Sequence, residues 1–161
     1  MNLRLFHRHI SLSGVFFAAA CATAPAPPRS TILFLCPYGG AKSVIAASYF
    51  NQLAEEQALP YVGVAVAAER PYDAVPQPVA DFLEREGFDV HTFKPRHVKS
   101  EDVQTAARIV SIDCNLAGIE LGESAVERWD DVPKVSVDLA ASAAAIRAHV
   151  DALMKDLRGH D

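Results

Sequence analysis

The stretch Ile32-Leu33-Phe34-Leu35-Cys36-Pro37-Tyr38-Gly39-Gly40-Ala41-Lys42-Ser43 decides the reading of this chain. Four apolar residues of strand character run into a cysteine. A short loop with two glycines follows, then Lys42-Ser43, then a segment of helical pattern. This is the order of a strand–loop–helix anion cradle. In such a loop successive backbone N–H groups converge, and the helix N-terminus adds the positive end of its dipole. A thiolate at the start of that cradle is stabilised, which makes Cys36 a candidate nucleophile. Pro37, Tyr38, Gly39, Gly40 and Ala41 are the candidate lining of the cradle. The bland alternative for Cys36 is a buried, inert thiol at a strand end.

Outward from this loop, strand and helix patterns alternate. Ile32–Leu35 reads as a buried strand and Ser43–Ala58 as a helix, with Ala46, Phe50, Leu53 and Ala54 on one face. Tyr61–Ala67 is a second strand. Pro76–Glu86 is a helix with Val79, Phe82 and Leu83 inward and Gly87 where a C-cap belongs. Val90–Phe93 reads as a short strand, and Ser100 as the N-cap of a short helix over Glu101–Ala106. Arg108–Ile112 is a further buried strand ending at Asp113-Cys114. Trp129–Val137 is loop-like, and Ala140–Leu157 is an amphipathic helix with Ile146, Val150, Leu153, Met154 and Leu157 in one stripe. Alternation of this kind predicts an α/β fold, a parallel sheet with helices on both faces. Ligands bind such sheets at the carboxyl ends of the strands, where Cys36 and Asp113-Cys114 both fall.

The 161 residues support one domain, and the first thirty read differently from the rest. Residues 1–20 have the anatomy of a secretory signal: a basic start with Arg4 and Arg8, an apolar stretch from Leu12 to Ala20, and small residues before Cys21. Ala18-Ala19-Ala20-Cys21 resembles the lipobox of bacterial lipoproteins, so Cys21 is the expected lipidation site. Ordinary signal cleavage and secretion is the alternative. Residues 21–30, with Pro25, Pro27 and Pro28, read as an extended tether, and 31–158 as the folded domain. This predicts a lipid-anchored protein facing the periplasm of a bacterial cell envelope. The formal net charge of −5 becomes more negative when Arg4 and Arg8 leave with the signal, which argues against nucleic acid as a partner.

Cys36-x5-Lys42-Ser43 after a strand resembles the low-molecular-weight protein tyrosine phosphatases and the related thioredoxin-coupled arsenate reductases. Their signature is cysteine, five residues, arginine, then serine or threonine. Glu86-Gly87-Phe88-Asp89, the strand end Ile109–Asp113 and the late acidic loop Trp129-Asp130-Asp131-Val132-Pro133 extend the resemblance over most of Thr31–Leu157. It implies a three-layer sandwich with a short central parallel sheet. It also implies cysteine-dependent hydrolysis of an aryl phosphate ester through a phosphocysteine intermediate. Cys36 would attack phosphorus and loop N–H groups would hold the equatorial oxygens. Ser43 would stabilise the thiolate. An aspartate of the late loop would protonate the leaving group, with Asp131 first, Asp130 second and Asp138 third. Partners on this reading are phosphate or a related oxyanion and a phosphorylated protein, with no cofactor and no metal.

Lys42 stands where the family has arginine, keeping the charge and giving up the planar two-oxygen grip. Two further readings follow from the same resemblance: an oxyanion-binding relative without turnover, and a thiol redox protein using Cys36 and Cys114. A nucleotide-binding P-loop fails, because Ala41 and Cys36 stand where that motif requires glycine. His91, His97, His149 and His160 have no ligand-like spacing, and Arg70, Arg96 and Lys99 carry no assigned role.

Overall fold

The computed structural model describes residues 28–159, so the signal segment, Cys21 and His160 lie outside the described residues. In chain order the elements are β1 (Ser30–Cys36), α1 (Lys42–Glu56), β2 (Tyr61–Ala67), α2 (Gln77–Arg85), α3 (Ser100–Thr105), β3 (Ala106–Ser111), β4 (Val126–Arg128) and α4 (Leu139–Arg158). The four strands form one sheet in the order β2-β1-β3-β4, and every pairing is parallel. No described helix is long and apolar enough to cross a membrane.

The pleat of β1 sorts the core into two layers. Ile32, Phe34 and Cys36 point to one face and pack with α1, α2, α4 and Trp129. Leu33 and Leu35 point to the other, where Val66, Val98, Val103, Ile109 and Cys114 cover them. Alternate side chains of a strand must diverge in this way. A central strand buried on both faces therefore reads as an unbroken apolar run. This is the α/β sandwich the alternating pattern predicts. Gly63 lets β2 lie close to α1: a Cβ there would stand 3.0 Å from the Phe34 ring and 3.1 Å from the Phe50 ring.

Two local expectations are corrected and one strand is added. Val90–Phe93 is a turn, because the Asp89 carboxylate accepts the His91 N–H at 3.0 Å and the Phe93 N–H bonds back to the Val90 carbonyl at 3.1 Å. The outer edge of β2 is met instead at a single point, the Ala67–His97 bridge. Ser100 is the first residue of α3 and not its cap. Lys99 takes the cap position, where the Asp102 carboxylate accepts the Lys99 N–H at 2.8 Å. Arg96 forks the same carboxylate at 2.6 and 2.7 Å and holds it below the ordinary aspartate range. Finally, β4 was not expected: its three residues pair with Ile109–Ser111, a length and composition too slight to read as a strand.

Candidate functional site

Cys36 is the last residue of β1 and Lys42 the first of α1, so residues 37–41 turn the chain from sheet to helix. The carbonyls of Cys36, Pro37 and Tyr38 are engaged by the segment after β2. They accept the N–H groups of Ala68, Glu69 and Tyr72 at 2.9, 2.9 and 3.0 Å. These three bonds tie the loop to that segment. No side chain caps α1 at Ala41, and its first turn carries no acid. Its leading N–H groups thus have no side-chain acceptor at the cap. Pro37 contributes no N–H.

The two glycines act by packing. Gly39 has φ +66°, and a Cβ on it would meet the Ala67 nitrogen at 2.7 Å. Only glycine takes that conformation this close to β2 without strain. At Gly40 a Cβ would stand 3.0 Å from the Tyr72 ring and 3.2 Å from Pro95. Both glycines are buried beneath the loop, while Pro37, Tyr38 and Ala41 line the cleft above it.

That cleft, about 510 Å³, opens over the carboxyl ends of β1 and β3. Cys36 lies at its floor, with Sγ 3.2 Å from the Ser43 Oγ, and both side chains are buried. A hydroxyl at that distance is placed to stabilise a thiolate. Tyr38 and Tyr72 form one wall, their ring centroids 4.8 Å apart, with 43% and 40% of each residue exposed. Burial pushes the Tyr72 phenol up, and neighbouring Tyr38 and Cys36 add to the effect. Lys134 lies at the exposed rim of the same cleft.

Lys42 does not reach freely into the cradle. Its Nζ donates to Asp113 Oδ2 at 2.8 Å and to the Val132 carbonyl at 2.9 Å, and the residue is 6% exposed. Asp113 follows β3 with φ +46°, a conformation uncommon outside glycine. Its side chain is 47% exposed and lines the cleft with Cys36. The site thus holds an ammonium–carboxylate pair at the position where the sequence showed only the cation.

The late loop is pinned with its acids outward. Trp129 and Val132 are buried; Val132 supplies the carbonyl held by Lys42, and the Ser142 hydroxyl donates to the Pro133 carbonyl at 2.9 Å. Asp130 pairs with Arg128 at 2.9 Å. Asp131 lies 2.8 Å from His149 Nε2, and that hydrogen bond draws its carboxyl below the usual range. The His149 ring in turn stacks on Trp129 at 4.8 Å. Asp138 caps α4 by accepting the Ala141 N–H at 2.8 Å. None of the three candidate acids lines the cleft; among the described residues Asp113 is the one carboxylate that does.

Cys114 is two residues beyond Ile112, whose N–H bonds to the Leu35 carbonyl at 2.8 Å, so the two cysteines share one end of the sheet. Cys114 packs on the opposite face, 3.3 Å from the Ser111 Oγ and 3.8 Å from the Leu35 carbonyl. Burial pushes its thiol up, and both thiols are free. Sequence reasoning missed Tyr72 and Lys134; it placed Asp113 at the ligand-binding end of the sheet by the strand-end rule but gave it no role in the phosphatase chemistry.

No family model and no curated protein matches the chain. Solved structures do. A low-molecular-weight protein tyrosine phosphatase from T. tengcongensis is 14% identical with a TM-score of 0.70, over 79% of this chain and 99% of that one. A thioredoxin-dependent arsenate reductase from Corynebacterium glutamicum is 14% identical with a TM-score of 0.72, over 84% of this chain and 65% of that one. Vibrio vulnificus Wzb in complex with benzylphosphonate is 11% identical with a TM-score of 0.64, over 80% of this chain and 99% of that one. The chain therefore has the fold shared by low-molecular-weight protein tyrosine phosphatases and thioredoxin-dependent arsenate reductases.

Proposed function

We propose that the protein is a cysteine-dependent phosphatase of the low-molecular-weight tyrosine phosphatase kind, acting slowly on aryl phosphate esters. The observation that carries this is the placement of Cys36: a thiol 3.2 Å from a buried serine hydroxyl, at the uncapped N-terminus of α1, on the floor of an open cleft. The phosphonate complex and the phosphatases among its structural relatives support an oxyanion there. The Tyr38–Tyr72 wall supports an aromatic leaving group, which gains stacking contact against exposed rings. In the first step the Cys36 sulfur would attack phosphorus while the bond to the aryl oxygen breaks. In the second, water would displace the sulfur and release phosphate. Slow turnover is expected because Lys42 offers a point charge in place of a planar fork, and that charge is shared with Asp113. Losing a positioned transition-state donor costs on the order of 3–4 kcal/mol.

The Lys42–Asp113 pair favours a second reading, in which the cleft binds an oxyanion without turning it over. One experiment separates the two. Hydrolysis of p-nitrophenyl phosphate under reducing conditions is followed for the protein, Cys36→Ser and Lys42→Arg. Turnover that Cys36→Ser abolishes supports the phosphatase. No turnover in the parent but turnover in Lys42→Arg supports the binding reading. Inactivity of all three overturns the phosphatase and favours the thiol redox reading with Cys114 or a purely structural role for Cys36.

We infer a location from the sequence alone: Cys21 lipidated, residues 21–30 as tether, and the domain held at the periplasmic face of a bacterial membrane, where a phosphorylated protein would be met. Incorporation of labelled palmitate that Cys21→Ser abolishes would support it; equal labelling of both proteins would overturn it.

A further inference from the structure

We propose that Asp113 is the proton-transferring carboxylate of this site and that it exchanges its partner Lys42 for the substrate. The inference deepens the phosphatase reading and rests on it. The chemistry needs a group that gives a proton to the departing aryl oxygen and then takes one from water. The carboxylates of the Trp129–Val137 loop are otherwise engaged: Asp130 by Arg128 and Asp131 by His149. Asp138 serves as the α4 cap. Asp113 is in the right place. It lines the Cys36 cleft, its side chain is half exposed, and the left-handed backbone at φ +46° turns the chain between Ile112 and Cys114. Backbone held in a sparsely populated region collects at functional sites.

Lys42 supplies the switch. Its ammonium has three protons, of which Val132 and Asp113 take two. A phosphoryl group entering the cradle offers Lys42 a stronger anionic partner than a single carboxylate does. When Lys42 turns to the phosphoryl oxygens, the Asp113 carboxylate is freed to take a proton in the cleft it shares with Cys36. The Cys36 thiol provides that proton as it becomes the nucleophile. In the first step the S–P bond forms, the P–O(aryl) bond breaks, and the proton passes from Asp113 to the leaving oxygen. In the second, water attacks phosphorus and its proton returns to Asp113. The S–P bond breaks, the thiolate is restored, and phosphate leaves. The net change is ester plus water to phenol plus phosphate.

The test uses leaving groups of different acidity, because a dinitrophenolate departs without a proton and a phenolate does not. kcat/KM is measured for phenyl phosphate and 2,4-dinitrophenyl phosphate with the parent, Asp113→Asn, Asp113→Glu and Asp131→Asn, each checked by circular dichroism. The expected result is a loss of about 100-fold or more on phenyl phosphate for Asp113→Asn. On the dinitrophenyl ester the change should be only a few-fold, and Asp113→Glu, which keeps the acid, should recover part of the phenyl phosphate rate. An equal loss on both esters makes Asp113 a mere holder of Lys42 and overturns the proposal while leaving the phosphatase standing. A leaving-group-selective loss in Asp131→Asn does the same. A parent without Cys36-dependent turnover of either ester overturns the proposal and the phosphatase reading together.

Discussion

Cys36 lies 3.2 Å from Ser43 and Cys114 lies 3.3 Å from Ser111, both pairs are buried, and both belong to one end of one sheet. Their surroundings differ. Cys36 faces an open cleft beneath the N-terminus of α1, with Lys42 and the rim cation Lys134 lining the same space. Cys114 faces the aliphatic cluster of Leu33, Leu35, Val66 and Ile109, and burial there outweighs the Ser111 hydroxyl and pushes its thiol up. A hydroxyl hydrogen bond alone therefore does not distinguish the two thiols. What differs is the surroundings: an open cleft, two cations and a helix N-terminus beside one sulfur, aliphatic side chains beside the other.

The sharpest way to break this contrast is turnover. Cys36→Ser is expected to reduce aryl phosphate hydrolysis to background, a loss of several hundred-fold or more, because among the described residues no other thiol lines the cleft to attack phosphorus. Cys114→Ser is expected to leave kcat within a factor of about three, since the residue lines no part of the cleft. If both substitutions abolish turnover, the two thiols act as one unit and the redox reading gains at the expense of the hydrolytic one.

Alkylation probes the same contrast without a substrate. At neutral pH, iodoacetamide should label Cys36 at least about tenfold faster than Cys114, read by mass spectrometry of peptides from the folded protein. Equal rates would mean that the cleft gives Cys36 no advantage. The serines sharpen the comparison further. Ser43→Ala should slow turnover by about tenfold to hundredfold, the worth of a hydrogen bond to a charged sulfur. Ser111→Ala should leave turnover alone and cost about 1 kcal/mol in urea unfolding, the worth of a neutral hydrogen bond.

How much of this was legible in the sequence differs from element to element. The run Ile32–Cys36 and the alternation around it determine a parallel sheet, because burial on both faces leaves a continuous apolar stretch. The loop residues were legible for the same reason that loops of this kind are short: strand end, turn and helix start must all fall within seven residues. The charge pattern of Lys42 was legible and its partner was not. Lys42 and Asp113 are 71 residues apart; the strand-end rule puts Asp113 at the same end of the sheet as Cys36, but nothing local says that its carboxylate meets the Lys42 ammonium. Asp130 and Asp131 were legible as an acidic loop. The direction of their side chains was not, because it depends on Trp129 and Val132 being drawn into the core and on Arg128 and His149 waiting outside. The glycines show a subtler gap. Sequence suggests room for a ligand, whereas Gly39 is required by the approach of Ala67 from β2.

The smallest expected effect is a pH dependence of stability that belongs to Cys114 alone. Burial raises its thiol above the unfolded value, so the folded state holds this proton more tightly than the unfolded one. The corresponding stability is fully present below the unfolded thiol's range and is lost as pH rises through that range toward the folded value. Between pH 7 and pH 10 the parent should therefore lose more unfolding free energy than Cys114→Ala does. The difference between the two slopes is the measured quantity, so the cost of shortening the side chain cancels. Each unit of pKa difference corresponds to about 1.4 kcal/mol. Identical slopes would mean that Cys114 is no more desolvated in the folded protein than in the unfolded chain. The contrast with Cys36 would then rest on the cleft and Lys42 alone.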